Sequence, residues 1–135
     1  MAEKKQFHLE SIQGVINRLA HNSFLIKGWT VILITSLFAL AAGNSKFLFV
    51  YLAYFPAVAF WILDGYYLWQ ERLFRALYDH VRLLNENDID YSMNTSIVKE
   101  KVASWGDVTI SKTLIIFHGT ILASILLVTL ITIIF

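Results

Sequence analysis

The chain has no cysteine and one proline, Pro56, among its 135 residues, and only 16% of those residues are charged. Without cysteine there can be no disulfide framework, no thiolate nucleophile and no cysteine-ligated zinc. With a single proline, few positions are forced to break a helix. A further scarcity is local: between Lys27 and Asp64 there is no acidic residue, and Lys46 is the one basic residue. Enzyme signatures are missing too. The sequence has no HExxH, no GxSxG and no phosphate-binding glycine loop. His8, His21, His80 and His118 share no metal-ligand spacing. The Asp88-x-Asp90 pair lacks the glycine and the bidentate acid of a calcium loop, so it reads as a solvated acidic turn. No enzymatic activity, metal or cofactor is expected.

Apolar residues are what the chain has in excess. They make up 57% of it, against about 45–50% in soluble domains. The stretches GWTVILITSLFALAAGNS and FLFVYLAYFPAVAFWIL are each near the lower limit for crossing a hydrocarbon core roughly 30 Å thick. They predict a transmembrane hairpin over residues 28–63, with TM1 about 28–43 and TM2 about 47–63. Residues 113–135 carry no formal charge and predict TM3. The fold class that follows is an all-α membrane protein with three spans and amphipathic helices outside them. The length leaves no room for a separate catalytic domain beside the spans.

Residues 1–27 carry Glu3 and Glu10 as well as Lys4 and Lys5, which argues against a signal peptide and for TM1 as a retained anchor. Leu9, Ile12, Ile16 and Leu19 recur at helical spacing, giving an amphipathic helix expected to end near Asn22-Ser23. Lys27 is expected to snorkel towards the headgroups. Gly43-Asn44-Ser45 reads as the turn between TM1 and TM2. Pro56 should kink TM2 and is a candidate hinge. Tyr66, Tyr67 and Trp69 suit a membrane interface. TM2 should run on unbroken into a charged helix, with Leu73, Leu77, Val81 and Leu84 as its apolar stripe. Thr95 to Trp105 reads as a short helix that Gly106-Asp107 breaks. Residues 64–112 together form a helical segment outside the membrane.

Orientation follows from the basic residues. Lys4, Lys5, Arg18 and Lys27 precede TM1, and Arg72, Arg75, Arg82, Lys99, Lys101 and Lys112 lie between TM2 and TM3; only Lys46 falls on the other side. The positive-inside rule then places the N-terminus and residues 64–112 in the cytoplasm, in a multi-pass membrane protein.

Three groups of residues are candidates for function. Asp64, Glu71, Arg72, Arg75 and Arg82 form the densest polar group. It is either the solvated face of a helix or a contact for a ligand or partner, since guanidinium groups pair with phosphate oxygens. His118, Thr129 and Thr132 share one face of TM3, where an ionisable residue invites a pore or proton-sensing reading beside that of a simple interhelical hydrogen bond. Thr35, Ala39 and Gly43 on TM1, with Gly119, Thr120, Ala123 and Ser124 on TM3, are small enough for close helix packing. The TM1 row is read first as the seat for TM2 and second as a contact between subunits.

The order of RLAHNSFLIKGW, a short hairpin, YYLWQERLFRALYDHV and SKTLIIFHGTILASILLVTLI resembles the small membrane proteins of bacterial anti-phage defence loci, particularly SLATT-type two-span effectors. That resemblance implies a homo-oligomer seated in the cell inner membrane, which it permeabilises or depolarises. It also implies a trigger from a cytoplasmic signalling partner or a nucleotide-derived signal. TM3 departs from the two-span pattern. The lipid bilayer is the other expected partner, and nucleic acid is not. The competing reading is a non-conducting membrane anchor or adaptor for a cytoplasmic protein.

Overall fold

A computed structural model describes residues 2–44 and 46–135, and no strand occurs among them. Helix α1 spans Ala2–Asn44, α2 Leu48–Leu52 and α3 Tyr54–Arg82; after 3₁₀ segments at Glu86–Asp88 and Thr95–Lys101 come α4, Trp105–Thr109, and α5, Lys112–Ile134. Three stretches of helix are long and apolar enough to cross a membrane: Glu3–Asn44, Leu48–Arg82 and Lys112–Ile134.

Helix α1 does not stop near Asn22-Ser23. It runs through 43 residues without interruption, about 65 Å at 1.5 Å per residue. Polar residues at that point suggested a terminus, but the Ser23 hydroxyl reaches across to α3 rather than capping its own backbone. The helix also takes in Gly43 and Asn44 of the expected turn, and Asn44 Nδ2 donates to the Leu40 carbonyl at 3.1 Å. Ser45 lies outside the described residues. Helix α3 returns alongside α1 and passes the apolar-to-charged boundary at Asp64 without a break.

Pro56 interrupts the helix, though three residues upstream of itself. Proline cannot donate to the carbonyl four residues before it, and α2 and α3 part at Ala53, next to that Leu52 carbonyl. The backbone of Ala53 itself stays helical, with φ −66° and ψ −25°. Gly106-Asp107 starts a helix rather than ending one. Both lie in the first turn of α4, where the Ser104 hydroxyl accepts the Asp107 N–H at 3.3 Å. The N-cap serine outweighs the glycine.

Two apolar cores result. At the apolar end, Ile34 and Ala41 of α1 meet Val50, Ala53, Ala57 and Ile125. At the polar end, Ile12 and Ile16 meet Leu77, Val81 and Val98. The small rows are not in either core. Thr35, Ala39, Gly43, Thr120, Ala123 and Ser124 are exposed, and Gly119 is half-buried. A Cβ added at Gly43 would meet nothing within 4 Å. Contrary to the first reading, the TM1 row does not seat TM2; Ile34, Leu37, Phe38 and Ala41 do.

Candidate functional site

On α1, Ser23, Lys27, Thr30 and Ile34 follow one another at helical spacing on the side that faces α3. On α5, Leu114, His118 and Ile125 form the buried side. On α3, Asp64 lies among buried residues and is 0% exposed. Each inward stripe thus carries a polar or ionisable residue at one level, and those residues meet between the two apolar cores.

Asp64 is the hub. Its Oδ2 accepts from Lys27 Nζ at 2.6 Å and from His118 Nε2 at 2.7 Å. Its Oδ1 accepts from the Ser23 hydroxyl, which itself accepts from Lys27 Nζ at 2.8 Å. The ring of bonds joins α1, α3 and α5. An ionised carboxylate only accepts, so His118 donates to it from Nε2, and its buried Nδ1 has no partner. The imidazole lies flat under Trp61, with planes 9° apart and centroids 5.8 Å apart, and Phe117 meets it edge-on. Both His118 and Asp64 side chains are fully buried, whereas that of Lys27 is 24% exposed, so Lys27 is the member that opens to the outside. A paired charge can be kept in such surroundings; a lone one is expensive.

Helix α4 closes the same level from the side. Trp61 Nε1 donates to the Thr109 carbonyl at 2.7 Å, and Trp105 Nε1 donates to the Ile62 carbonyl at 3.2 Å. Gly65, the neighbour of Asp64, makes this approach feasible: a Cβ there would lie 2.1 Å from Thr109 Oγ1. Trp69 stacks on Trp105 and Tyr66 packs on both, so a patch of aromatic rings lies beside the polar layer on the side of α4.

The layer's height follows from the chain. From Lys27 to the end of α1, and from His118 to the end of α5, the helices extend about 24–26 Å. That is close to the hydrocarbon thickness of about 30 Å. The polar layer therefore marks one edge of the apolar slab, and the aromatic patch flanks it as interface residues do.

The remaining candidates fall elsewhere. Asp64 is turned away from the arginines with which the sequence grouped it. Arg75 pairs with Glu71 at 3.2 Å and Arg82 with Asp79 at 3.4 Å, both on the exterior. Arg72 is half-buried on the same helix. A groove of about 440 Å³ between α1 and α3 is lined by Lys5, Gln6, Glu10 and Tyr78 among others, with Arg75 beside a neighbouring one. Thr129 Oγ1 is 2.6 Å from the Tyr54 hydroxyl, and Thr132 donates to the Thr129 carbonyl. The face with His118, Thr129 and Thr132 is thus the one α5 turns to α2 and α3. Lys27 does not snorkel outward; its ammonium turns inward to Asp64. Among the described residues no group of three or more His, Cys, Asp or Glu could hold a metal. Comparison with protein families, curated proteins and solved structures finds no match to the chain.

Proposed function

We propose that the protein is a triggered membrane effector: a homo-oligomer of three-span chains that depolarises the inner membrane when its cytoplasmic head engages a signal or partner. The supporting observation is the Lys27–Asp64–His118 layer, which ties all three spans together where α1 and α3 continue into the head. A head that moves carries two spans with it, and the layer is where the third either follows or parts. Three spans cannot enclose a pore alone, so conduction requires several copies. The N-terminus and residues 64–112 are cytoplasmic in this reading, as the distribution of basic residues favours. The likeness to defence effectors supports infection as the trigger, and Arg72, Arg75 and Arg82 as its contact.

The second reading, a non-conducting anchor or adaptor, draws support from the same tie between the three spans. A membrane-potential dye separates the two in cells carrying the neighbouring genes, before and after infection. Depolarisation on infection, absent when Arg72, Arg75 and Arg82 are replaced, is the result expected of the effector. Growth arrest with an unchanged potential would leave the adaptor.

A further inference from the structure

We infer that a bilayer phospholipid seats one acyl chain in the groove between α3 and α4. The groove is a shallow, open one of about 350 Å³, lined by Ile62, Trp105, Gly106 and Thr109. Its polar groups are already satisfied within the protein. Trp105 Nε1 is bonded to the Ile62 carbonyl, and Thr109 Oγ1 to the Trp105 carbonyl at 2.8 Å. What remains for an occupant is an indole face, an isoleucine side chain and a glycine, a surface that favours hydrocarbon over water.

Continuity with the spans says which hydrocarbon. Leu48, Tyr51, Phe55, Val58 and Ile62 follow one another at helical spacing along α2 and α3, and all five are exposed. They form one lipid-facing stripe that runs the height of the span. Its upper end, at Ile62, is the floor of the groove, two residues short of Asp64 in the polar layer. A chain lying along the stripe enters beneath α4 with its ester end at the aromatic level. Gly106 lines the groove, and a Cβ added there meets nothing within 4 Å, so a larger side chain has room at that position. The site rests on the spans lying in a bilayer and goes beyond the effector reading, because an anchor would have it equally.

The test uses the full chain reconstituted in phosphatidylcholine vesicles whose acyl chains carry bromine close to the ester. The contribution of Trp105 to fluorescence is obtained by difference from Trp105→Phe. We expect bromine to quench it, and Gly106→Leu, which fills the groove, to abolish that quenching while quenching of the exposed Trp29 persists. Unchanged quenching of Trp105 in Gly106→Leu would mean ordinary surrounding lipid and would overturn the groove. Quenching of Trp29 but not Trp105 would also overturn it, whereas quenching of neither would refute insertion itself. A spin label on Ile62→Cys, in a chain otherwise free of cysteine, gives an independent reading. Collisions with oxygen that fall when Gly106→Leu is added support the lipid. Spin–spin coupling between copies would replace the lipid with a second chain, and collisions with an aqueous nickel chelate would replace it with water.

Discussion

Asp64 takes three donors in a site with no solvent contact of its own, and its removal leaves Lys27 facing inward with its charge uncompensated. Breaking a buried pair in this way costs about 3–5 kcal/mol. Asp64→Ala should lower stability by that order in detergent unfolding, with Lys27→Met/Asp64→Leu recovering most of the loss. A double variant no better than Asp64→Ala would show that the layer is held by more than charge balance. Gly65 sets a second residue-level test. Gly65→Ala forces a carbon against Thr109, so overpacking of about 1–3 kcal/mol is expected, with faster hydrogen exchange in α4. Gly106→Ala, with open space around it, should leave stability unchanged or raise it by up to about 1 kcal/mol. Only part of this site could be read from the sequence. Asp64 and His118 stood out as ionisable residues at span ends, but Lys27 was assigned to the headgroups and Ser23 to a helix terminus. Counting each residue's distance from the end of its span away from the basic side would have placed Lys27, Asp64 and His118 at one height. What no single stripe reveals is the rotation of each helix that points them at one another.

Among the elements, the helices were legible wherever a long apolar run decided them, as in TM3, expected at 113–135 and found as Lys112–Ile134. Short polar segments were not, because one capping contact decides where they start. Ser104 opening α4 against Gly106 is such a case. So was the rotation of α1 about its axis, since small residues can face a neighbour in the same chain, a second copy or lipid. The break at Ala53 yields a prediction at this scale. Pro56→Ala restores an N–H to the Leu52 carbonyl, worth about 0.5–1.5 kcal/mol. It also frees the unfolded chain, at a cost of about 0.4–1 kcal/mol. Stability should therefore barely move while α2 and α3 fuse, seen as slower amide exchange over residues 54–57. Unchanged exchange would mean that the break is imposed by packing around Ala53 and not by the proline.

For the whole molecule, the exposed small rows on α1 and α5 are the surfaces where copies would meet. Gly119→Leu and Ala123→Leu point outward, so each should leave the monomer folded and reduce the mass of the detergent-solubilised assembly. If both retain the parent mass, subunits join elsewhere or not at all. Topology has an equally direct check. Ser92→Cys should resist a membrane-impermeant thiol reagent in intact cells and react once they are opened. Labelling from outside would invert the orientation on which the cytoplasmic trigger depends.

The unbroken course of α1 has a mechanical consequence. Pinned to Asp64 through Lys27, the helix is a rod with a fulcrum: about 38 Å of it lies on the head side and about 26 Å on the span side. A sideways push of about 3 Å on its first turn, by a ligand or a partner, swings the far end by roughly 2 Å the other way, from this ratio of lengths. Such a force need not reach the far end of the helix through a relay of side chains. The helix would carry it there as a lever does, turning about the point where Lys27 is tied to Asp64.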